Sequence, residues 1–463
     1  MHYGNNVILG GLILAWQAAS MPTHGEEIFR LPPVSSTGQI LAPLPEASLG
    51  AGSEKGRTAT ELAASESGSE KGPSEPVATA ADADPADETD ADNQKEEAKE
   101  EAEEKPPRLL GERFHGRGPV AFEYLYTGEI LSNTRGGIRT RRATRYEGLL
   151  DLAMDVELEK IRPRLPGKVH LLFQHTHGRG LSLDFVGDAQ ILSTIDSYGN
   201  ITQVSKYWWE TTLGEDLLTI RLGKQDVNDE FHLVEMAADF IHSAAGIPAT
   251  LPAPTYPDNS VAAVVLVKLT ESLSAKAGIW DGYPNGATWG FSNTGTTFTI
   301  VELERKHRLG GWLPGVIDFG FSHRSPVDVR GDLQPEQYTM YCDLEQVLYR
   351  EDPSDEKNEQ GLGVFFRYHT DFPRTETQCK NYLAAGLVYR GLLPRRDEDR
   401  LGVAVYHLQH NLGGTGRETA TELFYKVQWT PWMTLQPVLQ YISSPSGVYR
   451  DSFVVGLRFQ IVM

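Results

Sequence analysis

The run Gly148-Leu-Leu-Asp-Leu-Ala-Met-Asp-Val-Glu-Leu-Glu-Lys160 decides how this chain folds. Leu150, Leu152, Met154, Val156 and Leu158 are apolar, and Asp151, Asp155, Glu157 and Glu159 fall between them. A helix would scatter these side chains around its surface, whereas a strand sorts them onto two faces. The C-terminus repeats the pattern. Phe453, Val455, Leu457, Phe459, Ile461 and Met463 share one face, and Arg458 and Gln460 share the other. Likewise Tyr425, Val427 and Trp429 oppose Glu422, Lys426 and Gln428.

Working outward, sixteen such segments begin near residues 120, 139, 168, 201, 217, 260, 273, 296, 314, 337, 361, 378, 400, 417, 433 and 451. Many run 10 to 14 residues. That exceeds the ~5–6 residues of a soluble strand and suits a tilted bilayer crossing of ~9–11. Short links (Leu213–Asp216, Thr270–Ser272, Thr430–Trp432) alternate with long ones (His177–Asn200, Val227–Asn259, Asp281–Gly295, Ser322–Glu336). Outer-membrane barrels have short turns at one end, long outer loops and an even strand number. The long, acidic link Arg350–Gln360 breaks the alternation. Tyr126, Trp208, Trp209, Trp280, Trp312, Tyr349, Tyr389, Trp429, Trp432 and Tyr441 lie near strand ends, as interfacial girdles require. The competing fold is a large soluble all-β protein, because periodicity alone does not say which face is outside. The expected fold class is all-β: a transmembrane antiparallel β-barrel of about 16 strands over residues 112–463, preceded by a disordered N-terminal segment.

The 463 residues carry a net charge of −20, of which −12 sits between Glu46 and Lys105. That stretch has no Phe, Trp or Tyr. It cannot bury enough apolar surface to offset its chain entropy. Residues 21–107 therefore read as a disordered acidic linker rich in Ala, Glu and Pro. Val7–Trp16 is apolar and is followed by Ala18, Ala19 and Ser20, so residues 1–20 read as a signal peptide for export. An acidic chain excludes a general nucleic-acid binder. No apolar run reaches 18 residues, which excludes a helical membrane protein. Cys342 and Cys379 fit no zinc-site spacing.

The middle of the chain resembles the carbohydrate-selective porins of the OprB family. The resemblance begins at Tyr146-Glu147-Gly148-Leu149-Leu150-Asp151-Leu152 and continues through Gly180-Leu181-Ser182-Leu183 and Val186-Gly187-Asp188-Ala189-Gln190. Its most specific stretch is Leu222-Gly223-Lys224-Gln225-Asp226-Val227-Asn228-Asp229-Glu230-Phe231. Ala238-Asp239-Phe240, Ala245-Gly246-Ile247-Pro248, Tyr256-Pro257 and Ala277-Gly278-Ile279-Trp280-Asp281-Gly282 follow in the family's order. The resemblance implies a sixteen-stranded outer-membrane channel for sugars. Three features depart from the family's pattern: the acidic N-terminal segment, the terminal Met463 and a last third that matches loosely.

A pore selects through its diameter and the polar groups at its constriction. By strand parity Arg139, Arg141 and Arg145 join Asp151 and Asp155 on the lumen side. Lys206 and Glu210 share a face with Trp208 between them, and Arg221 alternates against apolar neighbours. A lysine facing lipid at mid-bilayer costs about 2–4 kcal/mol, so Lys268 and Lys276 should point inward. The same holds for Asp318, Asp343, Glu345, Arg367, Lys380, Arg390, Glu422, Lys426 and Arg458. The expected constriction loops carry Asp184, Asp188 and Asp196, and Asp229, Glu230, His232, Glu235 and Asp239. These carboxylates either meet sugar or pair with wall Arg and Lys to hold the loops.

The expected function is passive, carbohydrate-preferring diffusion of small solutes through a water-filled barrel in a Gram-negative-type outer membrane. Its partners are small sugars and outer-membrane lipid, with a homotrimer left open; no nucleic acid, cofactor, metal or catalytic residue is expected. A plugged structural or adhesin barrel and an outer-membrane enzyme barrel are the alternatives. Against the enzyme stands the lack of Gly-x-Ser-x-Gly, His-Glu-x-x-His and phosphate-loop motifs.

Overall fold

In a computed structural model of the chain, sixteen antiparallel strands close into one barrel. The structure describes residues 109–463 apart from 111–114, 117, 198, 283–287, 293, 330–331, 355–357 and 374–376. The signal-peptide and linker expectations, over 1–20 and 21–107, lie outside these residues.

The first eight wall strands are β1 (Val120–Gly137), β2 (Thr144–Glu157), β3 (Lys168–Gly178), β4 (Thr202–Leu213), β5 (Leu218–Gln225), β6 (Ser260–Thr270), β7 (Leu273–Asp281) and β8 (Thr297–Leu309). After β9 (Leu313–Arg324) a small hairpin, β10 (Val327–Val329) and β11 (Asp332–Gln334), stands apart from the wall. The barrel resumes with β12 (Gln337–Arg350), β13 (Gly361–Phe372), β14 (Cys379–Arg390), β15 (Arg400–His410), β16 (Arg417–Thr430), β17 (Met433–Ser443) and β18 (Arg450–Val462). β18 closes onto β1, with Leu125 opposite Val462 and Ile130 opposite Leu457. Closure leaves no unpaired strand edge, which a bilayer demands.

Parity sorts the side chains as the sequence implies. Leu222, Ile279, Val301, Leu303, Phe319, Phe366, Leu383, Leu387, Leu423 and Leu457 are exposed on the outer face. Tyr349, Trp312 and Trp429 lie at the short-turn end of that face, and Tyr146, Tyr368 and Tyr441 at the long-loop end. An apolar band between two aromatic girdles is the surface a bilayer requires. Cys342 on β12 and Cys379 on β14 remain free thiols.

One strand boundary differs from expectation. β2 begins at Thr144, not near 139, because residues 138–143 form the connection from β1. Arg142 there has φ 57°, outside the strand region. The parity argument therefore does not reach Arg139 or Arg141, and Arg141 is exposed on the connection.

Two long loops fold into the interior. Loops 179–201 and 226–259 enter from the long-loop end and bury apolar side chains against inward-facing wall residues. In one cluster Phe185, Leu192, Phe240 and Ile241 pack on Phe365, Tyr382, Tyr406, Phe424 and Val438. In the other, Val227, Phe231, Ile247 and Leu251 pack on Val264, Trp280, Phe298, Ile300 and Tyr341. Lumen faces of these strands are therefore partly apolar, and each loop is seated by burial as well as by polar contacts.

Candidate constriction inside the barrel

The polar seat of the loops comes from the wall, chiefly β8 and β12–β18. Glu422 accepts the backbone N–H groups of Ile241 and His242, both at 2.8 Å. Glu418 accepts those of Ala189 and Gln190 at 2.7 and 2.9 Å. Glu345 takes the N–H of Met236 at 3.1 Å, and Glu302 that of His232 at 3.1 Å. Donors answer from the same wall. Gln436 reaches the carbonyl of Asp239 at 2.6 Å, Gln440 that of Leu192 at 2.9 Å, and the Tyr382 hydroxyl that of Ala244 at 2.6 Å. These bonds satisfy loop backbone that would otherwise be buried without partners.

Arg367 is the densest of these anchors. Its buried guanidinium donates to the carbonyls of Ala245, Gly246 (2.8 Å) and His232 (3.2 Å). It also donates to both carboxylate oxygens of Asp343, at 3.1 and 2.9 Å. His232, in the left-handed region at φ 60°, lies on the Tyr341 ring with centroids 3.7 Å apart. Burial pushes its imidazole down to about 4, against the opposing pull of Asp343 3.6 Å away.

A second set of inward-facing charges, on β3–β8, lies in the half of the barrel nearer the short turns; Lys168, Lys206 and Glu210 keep solvent contact, while Arg221, Lys276 and Glu302 are buried. Lys168 lies 3.4 Å from Glu210, Glu210 accepts from Arg221 at 2.5 Å, and Arg221 lies 2.6 Å from Glu230 of the loop. Lys276 donates to the Glu230 carbonyl at 3.0 Å and pairs with Glu302 and Glu304 at 2.9 and 2.7 Å. Lys206 pairs with Asp229. The Trp208 ring lies within this ladder, with the Arg221 guanidinium 4.4 Å over it and His170 stacked at 4.8 Å. Glu210, Lys206, Glu230 and Asp229 keep 15%, 18%, 19% and 24% of their side-chain surface open. Across the barrel Asp239 of the loop pairs with Arg400 and Lys426 at 2.6 and 2.7 Å. Burial would raise the Asp239 carboxyl, but these two cations outweigh it and hold it below the usual carboxylate range.

Of the residues singled out from sequence, Lys206, Trp208, Glu210, Arg221, Lys276, Asp229 and Glu230 meet in this ladder. Asp151 borders it, accepting from Gln174 at 2.7 Å, and Asp155 accepts from His170 at 2.9 Å. Others lie elsewhere. Lys268 pairs with Glu271 at the short-turn rim, 3.0 Å away. Arg145 lies over the Phe185 ring at 4.4 Å near the opposite rim, where the Asp184 carboxylate is 3.7 Å from Arg179. Asp188 is buried, accepts from Ser182 at 3.1 Å and is raised well above its ordinary value by burial and by Glu418. Arg367 and Asp188 thus belong to the loop seat, not to the open lumen, because loop backbone covers them. Glu302, Glu304 and Glu418 were not singled out, although Glu302, Glu304 and Lys306 alternate with Val301, Leu303 and Arg305.

Residues 141–463 match the model of the family described as carbohydrate-selective porin, OprB family. Porin B of Pseudomonas aeruginosa is 23% identical over 402 residues, covering 74% of this chain and 87% of that protein. A putative porin, QuiX, of Acinetobacter baylyi is 21% identical over 398 residues, covering 73% and 89%. The high-pH structure of Pseudomonas putida OprB superposes with a TM-score of 0.66 at 21% identity, covering 75% of this chain and 94% of that one.

Proposed function

Because this chain belongs to the carbohydrate-selective porin, OprB family, we propose that it passes sugars by passive diffusion across an outer membrane, through the gap left beside loops 179–201 and 226–259. The observation that carries this reading is the partly solvent-open ladder from Lys168 to Glu304, in which cations and carboxylates alternate beside the Trp208 indole. Sugars present vicinal hydroxyls and apolar C–H faces. Arg221 and Lys206 donate to hydroxyl oxygens, Glu210, Glu230 and Asp229 accept from hydroxyl hydrogens, and the Trp208 ring, 9% exposed, offers a narrow apolar edge. Alternating signs keep the wall near neutrality, so a neutral polyol gains hydrogen bonds that a simple ion does not. The protein works as a channel with no bond-making step. The long loops face the cell exterior and lipid covers the outer band. Assembly as a homotrimer would bury part of that band.

Proteoliposome swelling and planar-bilayer recording test this reading together. Swelling should be faster in monosaccharides than in disaccharides, and added sugar should reduce ion current in a saturable way. A protein that neither swells liposomes nor conducts would instead be a plugged barrel.

A further inference from the structure

We propose that Glu302, Glu304 and Asp318 form a binding site for a hard divalent cation, with Ca2+ the best fit, on the inner wall of the barrel. Glu302 and Glu304 are two apart on β8, and Asp318 on β9 is directly opposite Glu304 in the antiparallel register. All three side chains therefore share the lumen face. A carboxylate oxygen from each lies within 4.8 Å of the others.

Asp318 supplies the independent sign of a ligand. It is 4% exposed, and its Oδ1 is buried with no hydrogen-bond partner among the described residues. Its neighbours do not supply the missing charge. Lys276 already serves Glu302 and Glu304 at 2.9 and 2.7 Å. The other oxygen of Glu302 takes the Tyr341 hydroxyl at 2.7 Å and the His232 N–H at 3.1 Å, both uncharged donors. Asp343, opposite Asp318 on β12, is matched by Arg367 and offers only repulsion. Three carboxylates against the ammonium of Lys276 and that of the exposed Lys306, 3.6 Å from Glu304, leave one negative charge at Asp318 with no partner among the described residues, and a buried charge without a partner is costly. A divalent cation bridging the three carboxylates supplies that charge and releases the exposed Lys306 from Glu304 to solvent.

The donor set fixes the class of ion. Carboxylate oxygens without nitrogen or sulfur suit Ca2+ or Mg2+ rather than zinc or copper. Ca2+ tolerates an irregular shell of about 6–8 oxygens, whereas Mg2+ demands a near-ideal octahedron. Glu304, 18% exposed, opens the cluster to lumen water, which completes the shell. The other inward cluster, His232, Asp343 and His369, is no rival, since Arg367 occupies both Asp343 oxygens with a positive charge. Sequence spacing does not disclose the site, because its ligands come from two strands joined only by register.

The test uses the full-length protein in detergent, stripped with chelator and titrated with CaCl2. Thermal unfolding and titration calorimetry are the readouts, and both are independent of sugar transport. Ca2+ should raise the unfolding midpoint saturably and bind one to one, and Mg2+ should do so more weakly. Asp318→Asn removes the crowded charge, so in chelator it should unfold at or above the wild-type temperature yet lose its response to Ca2+. Glu304→Gln should weaken binding about tenfold or more, a loss of about 1.4 kcal/mol. Asp216→Asn, in the turn between β4 and β5, should respond as wild type. No saturable Ca2+ effect in the wild type, or a response kept by both Asp318→Asn and Glu304→Gln, overturns the proposal.

Discussion

Replacing Arg367 by Met separates the loop seat from the barrel wall. The change removes three donors to loop carbonyls, those of Ala245, Gly246 and His232, and leaves Asp343 without its guanidinium. Each bond from a charged donor contributes about 1.5–3 kcal/mol, and the three are not additive, so a loss of about 4 kcal/mol in docking of loop 226–259 is reasonable. That corresponds to a shift of about 10³-fold between seated and released loop. Stranding Asp343 adds about 3–5 kcal/mol, a cost that Arg367→Met with Asp343→Asn largely removes. Hydrogen exchange should read the two effects apart. Amides of residues 232–247 should exchange about 10³-fold faster in both variants, while thermal stability recovers only in the double one. In bilayers both should show larger, noisier conductance and weaker sugar block. If loop exchange in Arg367→Met stayed near wild type within an intact barrel, the seat would lie elsewhere and this reasoning would fail.

Other consequences are local. Trp208→Leu keeps apolar bulk but removes the ring between Arg221 and His170, so sugar block of the current should weaken several-fold with little change in ion conductance. Arg221→Gln leaves Glu210 and Glu230 unbalanced, so reversal potentials in a salt gradient should shift toward cation preference. A methyl added at Gly320 would meet the Tyr341 ring at 1.8 Å and push it off Glu302, at a cost of about 1–3 kcal/mol seen in thermal unfolding. Acidification should act on the two loops with opposite sign. His232, faced by Asp343, His369, Arg367 and Tyr341, is held neutral by burial with its value lowered from 6.5 to about 4. The stability it lends is therefore complete above the unfolded value and declines as pH falls from 6.5 toward 4. Asp196 in loop 179–201 is raised to about 7 by burial and by Glu129, so its loop gains stability as pH falls through 7. Hydrogen exchange between pH 7 and 4, corrected for intrinsic rates, should show amides around His232 loosening and amides around Asp196 tightening; a common direction at the two sites would refute the assignment.

The fold was legible because a barrel wall has a strict period of two. Leu150 to Val156 and Phe453 to Ile461 each announce an outward face, and strand starts read from parity match the observed ones except at β2. There the basic run around Arg139–Arg142 continues the polarity of the strand although the backbone has already turned. Parity also placed Lys206, Glu210, Arg221 and Lys276 inward without revealing what each would meet. Partners across the lumen are set by barrel closure and by the path of two loops, and neither leaves a mark in local spacing. Hence Arg367 reads as a pore residue and Asp188 as a constriction-loop residue, and both prove to be buried in the loop seat. Apolar residues on both faces of β13, Phe365 inward and Phe366 outward, were the available hint that something packs inside.

The same contrast explains how one barrel holds loops rigidly and still leaves a polar passage. A fully charged lumen would repel the apolar loop side chains, and a fully apolar one would have nothing with which to select. The wall divides the tasks by strand. On β12–β18, Glu345, Arg367, Glu418 and Glu422 alternate with inward Phe365, Tyr382, Tyr406 and Phe424, so each loop amide or carbonyl finds a partner next to a ring that its neighbouring side chain can cover. On β3–β5, Lys168, Lys206, Glu210 and Arg221 have Trp208, His170 and Leu172 among their inward neighbours, and no loop covers all of them fully. Loop 226–259 is pulled toward the first arc by burial and hydrogen bonds. It presents Asp229 and Glu230 to the cations of the second. On the proposed reading, the passage lies beside this charged arc. Its selectivity therefore depends on the loop's position as much as on the wall, and anchors far from the ladder, Arg367 first among them, should change sugar preference without touching sugar.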